Sequence, residues 1–466
     1  ETKVDLKRFH VVGLGRDAAV QVPGKFITEG GSFEVAMHSA RWLKYCLGQD
    51  ILGTVGISGT TTTLSAASTV GANSVTVSSA TSFATGKYIV IKEGTVIPVI
   101  TDHDALSGTW NGTMTDYDFD KATPHEVRRI LGVDGSTIYL DEPLQYPHAV
   151  SAAVHLMDYA TSATNAPTIV EGTKTITNMA NHLLFSRSEL PSFSLEVSQR
   201  RRDQDASSLS DGSQSDGKEL TRIYRGNKVV DWSVTTDNDG ALRLSVNFNS
   251  ALCYTDTGRL ETIAQNRYNP HRMFDDTAST HVDRMKAGIG LGTQKPFMFY
   301  NGVIHIAGVQ VAQVLSMTLN GKQGTVGYHT INGSDTSATS ATSQVPFAGS
   351  RNTSIMVEGQ TDYDMGLEII VDDPLFFHKM RSGTEMSVRG DHDGTNPDTT
   401  NQIRIEYTKQ KLGSSTETEK IIFLIDEYYI TEAPIQIPED KGAVKSHLKI
   451  IPKSIKVLAR DTILKY

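Results

Sequence analysis

Residues 222–248 read RIYRGNKVVDWSVTTDNDGALRLSVNF, and their alternation decides the fold class. Val230, Trp232 and Val234 alternate with Asp231, Ser233 and Thr235. After a short break, Leu242, Leu244, Val246 and Phe248 alternate with Arg243, Ser245 and Asn247. A period of two puts the apolar side chains on one face of an extended chain and the polar ones on the other, which is the pattern of a half-buried strand. Asp237-Asn238-Asp239-Gly240 supplies turn residues between the two runs, so they read as a hairpin.

The same alternation appears on either side. Phe193, Leu195 and Val197 alternate with Ser194, Glu196 and Ser198, and Ile403, Ile405 and Tyr407 with Arg404 and Glu406. The chain is therefore mainly β, and two short helices are expected. Ser39 caps Ala40–Leu47, with Ala40, Leu43 and Leu47 on one stripe and Gly48 as the stop. Asp373 caps a second helix that starts at Pro374, runs through Phe376, Phe377 and Met380, and stops at Gly383.

The two helices sit in similar settings. GSFEVAMHSARWLKYCLG (31–48) lines up with MGLEIIVDDPLFFHKMRSG (365–383), each a strand, a cap and a short helix. Each is followed by an isolated strand, a polar loop and a longer β-rich stretch, which reads as a diverged internal duplication. The expected architecture is two β-sandwich or barrel units, each with a short helix. The first unit is 1–51 with 166–265, the second is 296–466, and 266–295 connects them.

An insertion at 52–165 interrupts the first unit. NSVTVSS (73–79), KYIVIKE (87–93), EVRRILGVD (126–134), STIYLDEPL (136–144) and SAAVHLMD (151–158) read as the strands of a small β-barrel. Its flanks GISGTTTTLSAAST (56–69) and ATSATNAPT (160–168) have linker composition. Two further stretches, 203–219 and 332–344, are too polar to form a core and read as loops.

Composition narrows the function. The 466 residues are 38% hydrophobic and 21% charged, with a net charge of −9, whereas a dedicated nucleic-acid binder carries a basic footprint. Cys46 and Cys253, the two cysteines, cannot form a disulfide framework, so cytosolic assembly is expected. No apolar run approaches a membrane span, and no signal peptide is read.

Catalytic and ligand motifs are incomplete. GLGRDA (13–18) and GIGLGTQK (288–295) stop short of a phosphate loop. Asp116, Asp118 and Asp120, and Asp391-His392-Asp393-Gly394, lack the glutamate that completes an EF-hand loop and read as surface turns. His38, His182, His305 and His378 show no metal-ligand spacing. Sequons at Asn111 and Asn332 carry no information without a secretory context. The expectation is a non-enzyme with no cofactor and no metal.

LPSFSLEV (190–197) followed by 222–248 resembles the tube proteins of long-tailed phages, which carry a Pro-Ser-hydrophobic strand and then Tyr-x-Gly before a strand entering a hairpin. GSFEVAMHSARWLKYCLG, VQVAQVLSMTLNGK (309–322) and LEIIVDDPLFFHKMRSGT (367–384) are similar to other parts of those chains. The insertion resembles a small β module of various phage structural proteins and departs from the shorter tube proteins. The resemblance implies two tube-type units per chain and a virion tail protein that assembles in the host cytoplasm. Such a protein polymerises into stacked rings around a channel for double-stranded DNA. Expected partners are further copies of the chain, three per pseudo-hexameric ring, a tape measure protein in the lumen, and tail terminator and distal tail proteins at the ends. Asp231, Ser233, Thr235, Ser245 and Asn247 are the candidate lumen-facing residues, and they equally suit an ordinary solvent face. Asp203, Asp211 and Asp216 mark the candidate inter-ring loop. Two alternatives remain open: a distal-tail or baseplate-hub protein, and a virion-associated carbohydrate-active β protein.

Overall fold

The computed structural model describes residues 2–9, 20–52, 60–85, 87–92, 126–144, 146–157, 168–171, 174–177, 179–186, 189–200, 219–256, 295–306, 309–311, 313–329, 352–371, 403–410, 418–425, 427–437 and 442–463. The second expected helix at 374–382, the bodies of both polar loops, the connector before Lys295, the incomplete phosphate loop at 13–18, and both acidic clusters lie outside them.

A hairpin of β1 (Thr2–Phe9) and β2 (Val20–Thr28) precedes β3 (Gly31–Ala36), α1 (Leu43–Leu47) and β4 (Gly48–Leu52). The insertion holds β5 (Thr61–Thr63), β6 (Ser74–Thr76), β7 (Tyr88–Lys92), β8 (Glu126–Asp134), β9 (Thr137–Leu140) and β10 (Ala153–Met157). Next come the hairpin of β11 (Thr168–Glu171) and β12 (Lys174–Thr177), then β13 (Ala180–Ser186), β14 (Phe193–Arg200), β15 (Glu219–Asp237), β16 (Arg243–Asn249) and β17 (Leu252–Asp256). Beyond the connector are β18 (Gly302–Ile306), β19 (Val309–Val311), β20 (Val314–Lys322), β21 (Val326–Tyr328), β22 (Ile355–Val357) and β23 (Asp362–Ile370). The chain closes with β24 (Ile403–Gln410), β25 (Thr418–Ile425), β26 (Tyr428–Glu432), β27 (Ile435–Gln436), β28 (Lys445–Pro452) and β29 (Lys456–Asp461).

Two large antiparallel sheets enclose one hydrophobic core. The ten-stranded sheet has the path β26-β28-β23-β20-β15-β16-β3, and the seven-stranded sheet runs β19-β18-β24-β25-β29-β13-β4. Each stretch expected as a tube unit contributes a contiguous block of strands to each sheet. The blocks meet edge to edge, at β15–β20 in the first sheet and β13–β29 in the second. Trp232, Val234, Leu244, Val246, Met317, Leu319, Met365, Leu367, Leu448 and Ile450 from the first sheet share a single buried cluster with Leu184, Ile405, Tyr407, Ile421, Phe423 and Val457 from the second.

α1 is shorter than expected. Leu43, Lys44 and Tyr45 each donate to the carbonyl three residues back, so 40–45 begins as tight turns and the helix proper starts at Leu43. Ser39 accepts from the Arg41 amide at 3.5 Å and caps that turn instead of the helix. Gly48 ends it as expected, at φ 114°, a left-handed conformation that a Cβ would strain. Leu43, Cys46 and Leu47 are fully buried, and burial pushes the Cys46 thiol well above its usual pKa. Neither Cys46 nor Cys253 forms a disulfide.

The insertion forms a six-stranded sheet in the order β5-β10-β7-β8-β9-β6 around its own core of Leu64, Ile89, Ile91, Ile130, Ile138 and Val154. The sheet closes. Leu64 bridges Val77, the Ser65 amide donates to the Thr76 carbonyl, and the Ser78 amide donates to the Thr63 carbonyl, so β5 pairs with both β10 and β6. The run TTTTL, read as linker, is therefore a barrel strand with Leu64 as its buried end. Its polar composition reflects an outer face that stays wet.

Candidate assembly surfaces

The face of the ten-stranded sheet opposite the core is mostly polar, ending at β26 in the exposed pair Tyr429 and Ile451. β15 and β16 pair with Asp231 opposite Asn247, Ser233 opposite Ser245, and Thr235 opposite Arg243. The five candidate lumen residues thus stand side by side on this open face, with Asn247 donating to Asp231 at 2.5 Å. The registers extend the face in both directions. Across β15–β20, Lys322, Asn320 and Thr318 stand opposite Asp231, Ser233 and Thr235. Beyond them lie Asp362, Asp364 and Glu368 of β23, then His447 and Lys449 of β28. On the other side Ser32 and Glu34 of β3 continue the rows of Asn247 and Ser245.

Charges on this face are mixed in sign. Glu34 pairs with Arg243 at 2.7 Å, Glu368 with Lys445 at 3.1 Å, and Glu432 with Lys449 at 3.6 Å. The hydrogen bond from Lys445 holds the Glu368 carboxyl below the usual carboxylate range. The wider face was legible in principle, since DYDMGLEII (362–370) and KSHLKIIP (445–452) also alternate. Their polar positions become one surface only through the strand registers.

β3 and β26 stand at the two ends of the sheet path. Among the described residues β3 pairs only with β16, and β26 only with β28. A strand at the end of a sheet path is where pairing with another chain can extend the sheet.

The long strand β15 serves two settings. Its residues 228–237 lie in the main path, and 219–227 pair with β14 on one side and β17 on the other. Gly226 marks the change at φ 62°, where an added Cβ would come 2.9 Å from the Ala251 methyl. The residues between Arg200 and Glu219 join the tip of this arm, so the candidate inter-ring loop with Asp203, Asp211 and Asp216 is anchored there, itself outside the described residues. β21 and β22 form a second arm at the same end, because β20 runs antiparallel to β15 and leaves the sheet where β15 enters it. The β1–β2 hairpin stands beside it, with His329 Nε2 donating to the Phe26 carbonyl at 2.8 Å.

One buried and one half-buried ion pair lock the framework behind these surfaces. Lys409 Nζ reaches Glu419 at 2.9 Å and donates to the carbonyls of His38 and Lys295 at 2.7 Å each, above the Phe297 ring. Burial pulls the Lys409 pKa down against the opposing pull of Glu419. Glu358 accepts from Lys228 at 2.5 Å and from the Leu190 amide at 3.0 Å. Burial alone would raise its carboxyl, but these hydrogen bonds outweigh it and hold the group below its usual range. Of the histidines, His182 is buried and donates to the Ile463 carbonyl, and burial pushes His305 down. Among the described residues no three His, Cys, Asp or Glu side chains come together as metal ligands, and no helix is long and apolar enough to cross a membrane.

No protein-family model matches the chain, and no curated protein matches it in sequence. It is similar to a solved cryo-EM structure of the anti-feeding prophage cap, a tube-terminating cap. The identity is 10% over 36% of this chain and 93% of that one, with a TM-score of 0.23. A likeness at that level carries no argument about function.

Proposed function

We propose that this chain is a structural subunit of a viral tail tube, assembling edge to edge into rings whose polar sheet face lines a channel for DNA. The observation that carries this reading is the ten-stranded sheet itself, with one apolar face, one mostly polar face and, among the described residues, an end strand on each side paired to a single neighbour along the path. Closing such a sheet removes its edges without changing its core. In this reading neighbouring chains close it, so assembly is part of the function.

Strand arithmetic supports three chains per ring. Seven strands lie on the sheet path, so three chains supply 21. At ~4.8 Å between strands and ~40° tilt, the backbone diameter is about 42 Å, and a side-chain layer of ~5 Å per wall leaves about 32 Å. That bore passes a duplex with room for water. Six chains would double the circumference and leave a bore far wider than the cargo. The mixed charge of the face suits passage, because a basic stripe would hold phosphate through counterion release and slow the DNA. In this reading the tape measure protein occupies the lumen before DNA does, and terminator and distal tail proteins cap the stack. Neither a cofactor nor a catalytic step is required.

Electron microscopy and native mass measurement of the purified chain test the proposal. Rings of three chains with a central bore, stacking into tubes, are the expected result. Rings of six would remove the two-units-per-chain argument while leaving the tube. A chain that stays monomeric at every concentration would overturn the proposal.

A further inference from the structure

The inserted barrel meets the sandwich beside α1. β4 and β8 touch, and the chain joins barrel to sandwich between β4 and β5 and again between β10 and β11. On the sandwich side, Trp42 and Tyr45 stand in a group of rings. Trp42 lies 4.7 Å from Phe33, 5.6 Å from Tyr45 and 5.7 Å from Phe193, and Tyr45 lies 5.3 Å from Phe193. On the barrel side, Asp141 is fixed against β8. Its carboxylate accepts from the Arg129 amide at 2.9 Å, and its own amide donates to the Arg129 carbonyl at 3.0 Å.

Charges of each side act on tyrosines of the other. Burial raises the Tyr45 phenol above its usual pKa, and the Glu142 carboxylate of the barrel adds to that; Arg41 opposes it, and Asp141 adds again. Burial also raises Tyr88 of β7, where Arg129 opposes it, and so does Arg41 of the sandwich. Arg41 and Asp141 therefore lie within reach of a tyrosine on either side of the junction. Two cations and two carboxylates meet there around two partly buried rings.

We propose that the inserted barrel is a latch: Arg41 holds it through Asp141 and Glu142 in one fixed direction over the Trp42 and Tyr45 rings, and it swings off them as a body when those charges are screened or reversed. The barrel has its own core and closes on itself, so it can leave the seat intact. Contacts of this polar kind between domains of one chain leave relative motion as the default, unlike large apolar ones. The latch does not rest on the ring reading, because both of its halves lie in one chain.

The experiment uses the full chain below its assembly concentration, with Trp110→Phe as background. The two tryptophans left are Trp42 and Trp232, and Trp232 is 2% exposed, so acrylamide quenching reads Trp42. Arg41→Glu brings three carboxylates together and should raise the population with the barrel off its seat roughly tenfold or more. The readings are stronger quenching of Trp42 and a longer maximum dimension in small-angle X-ray scattering. Glu142→Arg should do the same, and the two substitutions combined should return both readings to those of the background chain. A thermal melt alongside establishes that each variant folds. In salt of about 1 M the background chain itself should shift the same way, because the seat is within reach of screening. Unchanged quenching and scattering, in the variants or in salt, would show that the barrel is held without these charges. A double variant that stays open would show that Arg41 and Glu142 act separately. Either result overturns the latch, as does a background chain that already scatters as two loosely joined bodies at low salt.

Discussion

Trp232 and Gly321 face each other across the β15–β20 pair, the seam between the two blocks of the ten-stranded sheet. Trp232 is 2% exposed, and its indole occupies the space that a side chain at 321 would need. A Cβ on Gly321 would stand 2.5 Å from Cζ2 of that ring and closer still to Cε2 and Nε1. Gly321→Ala therefore forces the ring, or the strand, to move. Overpacking of this kind costs about 1–3 kcal/mol. The loss of backbone freedom in the unfolded chain returns about 0.4–1 kcal/mol, leaving a net loss of about 1–2 kcal/mol. Trp232→Leu opens a cavity instead and costs about 2–3 kcal/mol, somewhat less than truncation to alanine. The double variant should lose less than the sum, by about 1–2 kcal/mol, because the new methyl fills part of the space that the ring vacated. Urea midpoints from far-UV circular dichroism, at a concentration below assembly, give all four corners of the cycle. A Gly321→Ala midpoint equal to the wild type, together with additive losses in the double variant, would refute the packing argument.

Three further predictions rest on other parts of the frame. Lys409→Met should cost about 3–5 kcal/mol, because it strands the buried Glu419 carboxylate; adding Glu419→Met should recover much of that loss, measured by the same midpoints. Glu358 has a depressed folded pKa, so its contribution is present above its unfolded value near 4.5 and is lost as pH falls through the folded one. Glu358→Gln should flatten the stability profile below pH 4.5, and a profile of unchanged slope would remove Glu358 as the cause. Replacing the insertion by a short Gly/Ser bridge should preserve rings of smaller outer diameter in electron micrographs, since the barrel has its own core and closes on itself. A bridged chain that fails to fold would make the barrel part of the sandwich.

Much of the fold was legible wherever a strand keeps one face wet. The run 229–248 alternates because its two faces meet different solvents, and the structure places β15 and β16 there with the expected turn between them. The signal fails where a strand is buried on both sides. TEKIIFLI of β25 shows no period, and even Glu419 and Lys420 are 1% and 5% exposed. It also fails where a strand is completed from a distance, as at TTTTL, whose partners β10 and β6 come later in the chain. The candidate lumen residues could be picked out on one face of β15 and β16 because alternation marks a polar face. Their neighbours on β20, β23 and β28 were missed because nothing in those segments says which strand lies beside them.

The sequence by itself determined that the chain is mainly β, which side chains of each amphipathic strand face water, and where the hairpin at 237–240 turns. These are local matters, settled by side chains against solvent and by the backbone freedom of turn residues. Only the tertiary structure decided that β13 lies beside β29 and β15 beside β20, and so which strands stand at the ends of each sheet path. It alone decided that the two arms leave from the same end. The reason is physical: strand pairing is made by backbone N–H and C=O groups that are nearly the same in every residue, so a strand carries its face in its sequence but not the identity of its neighbour.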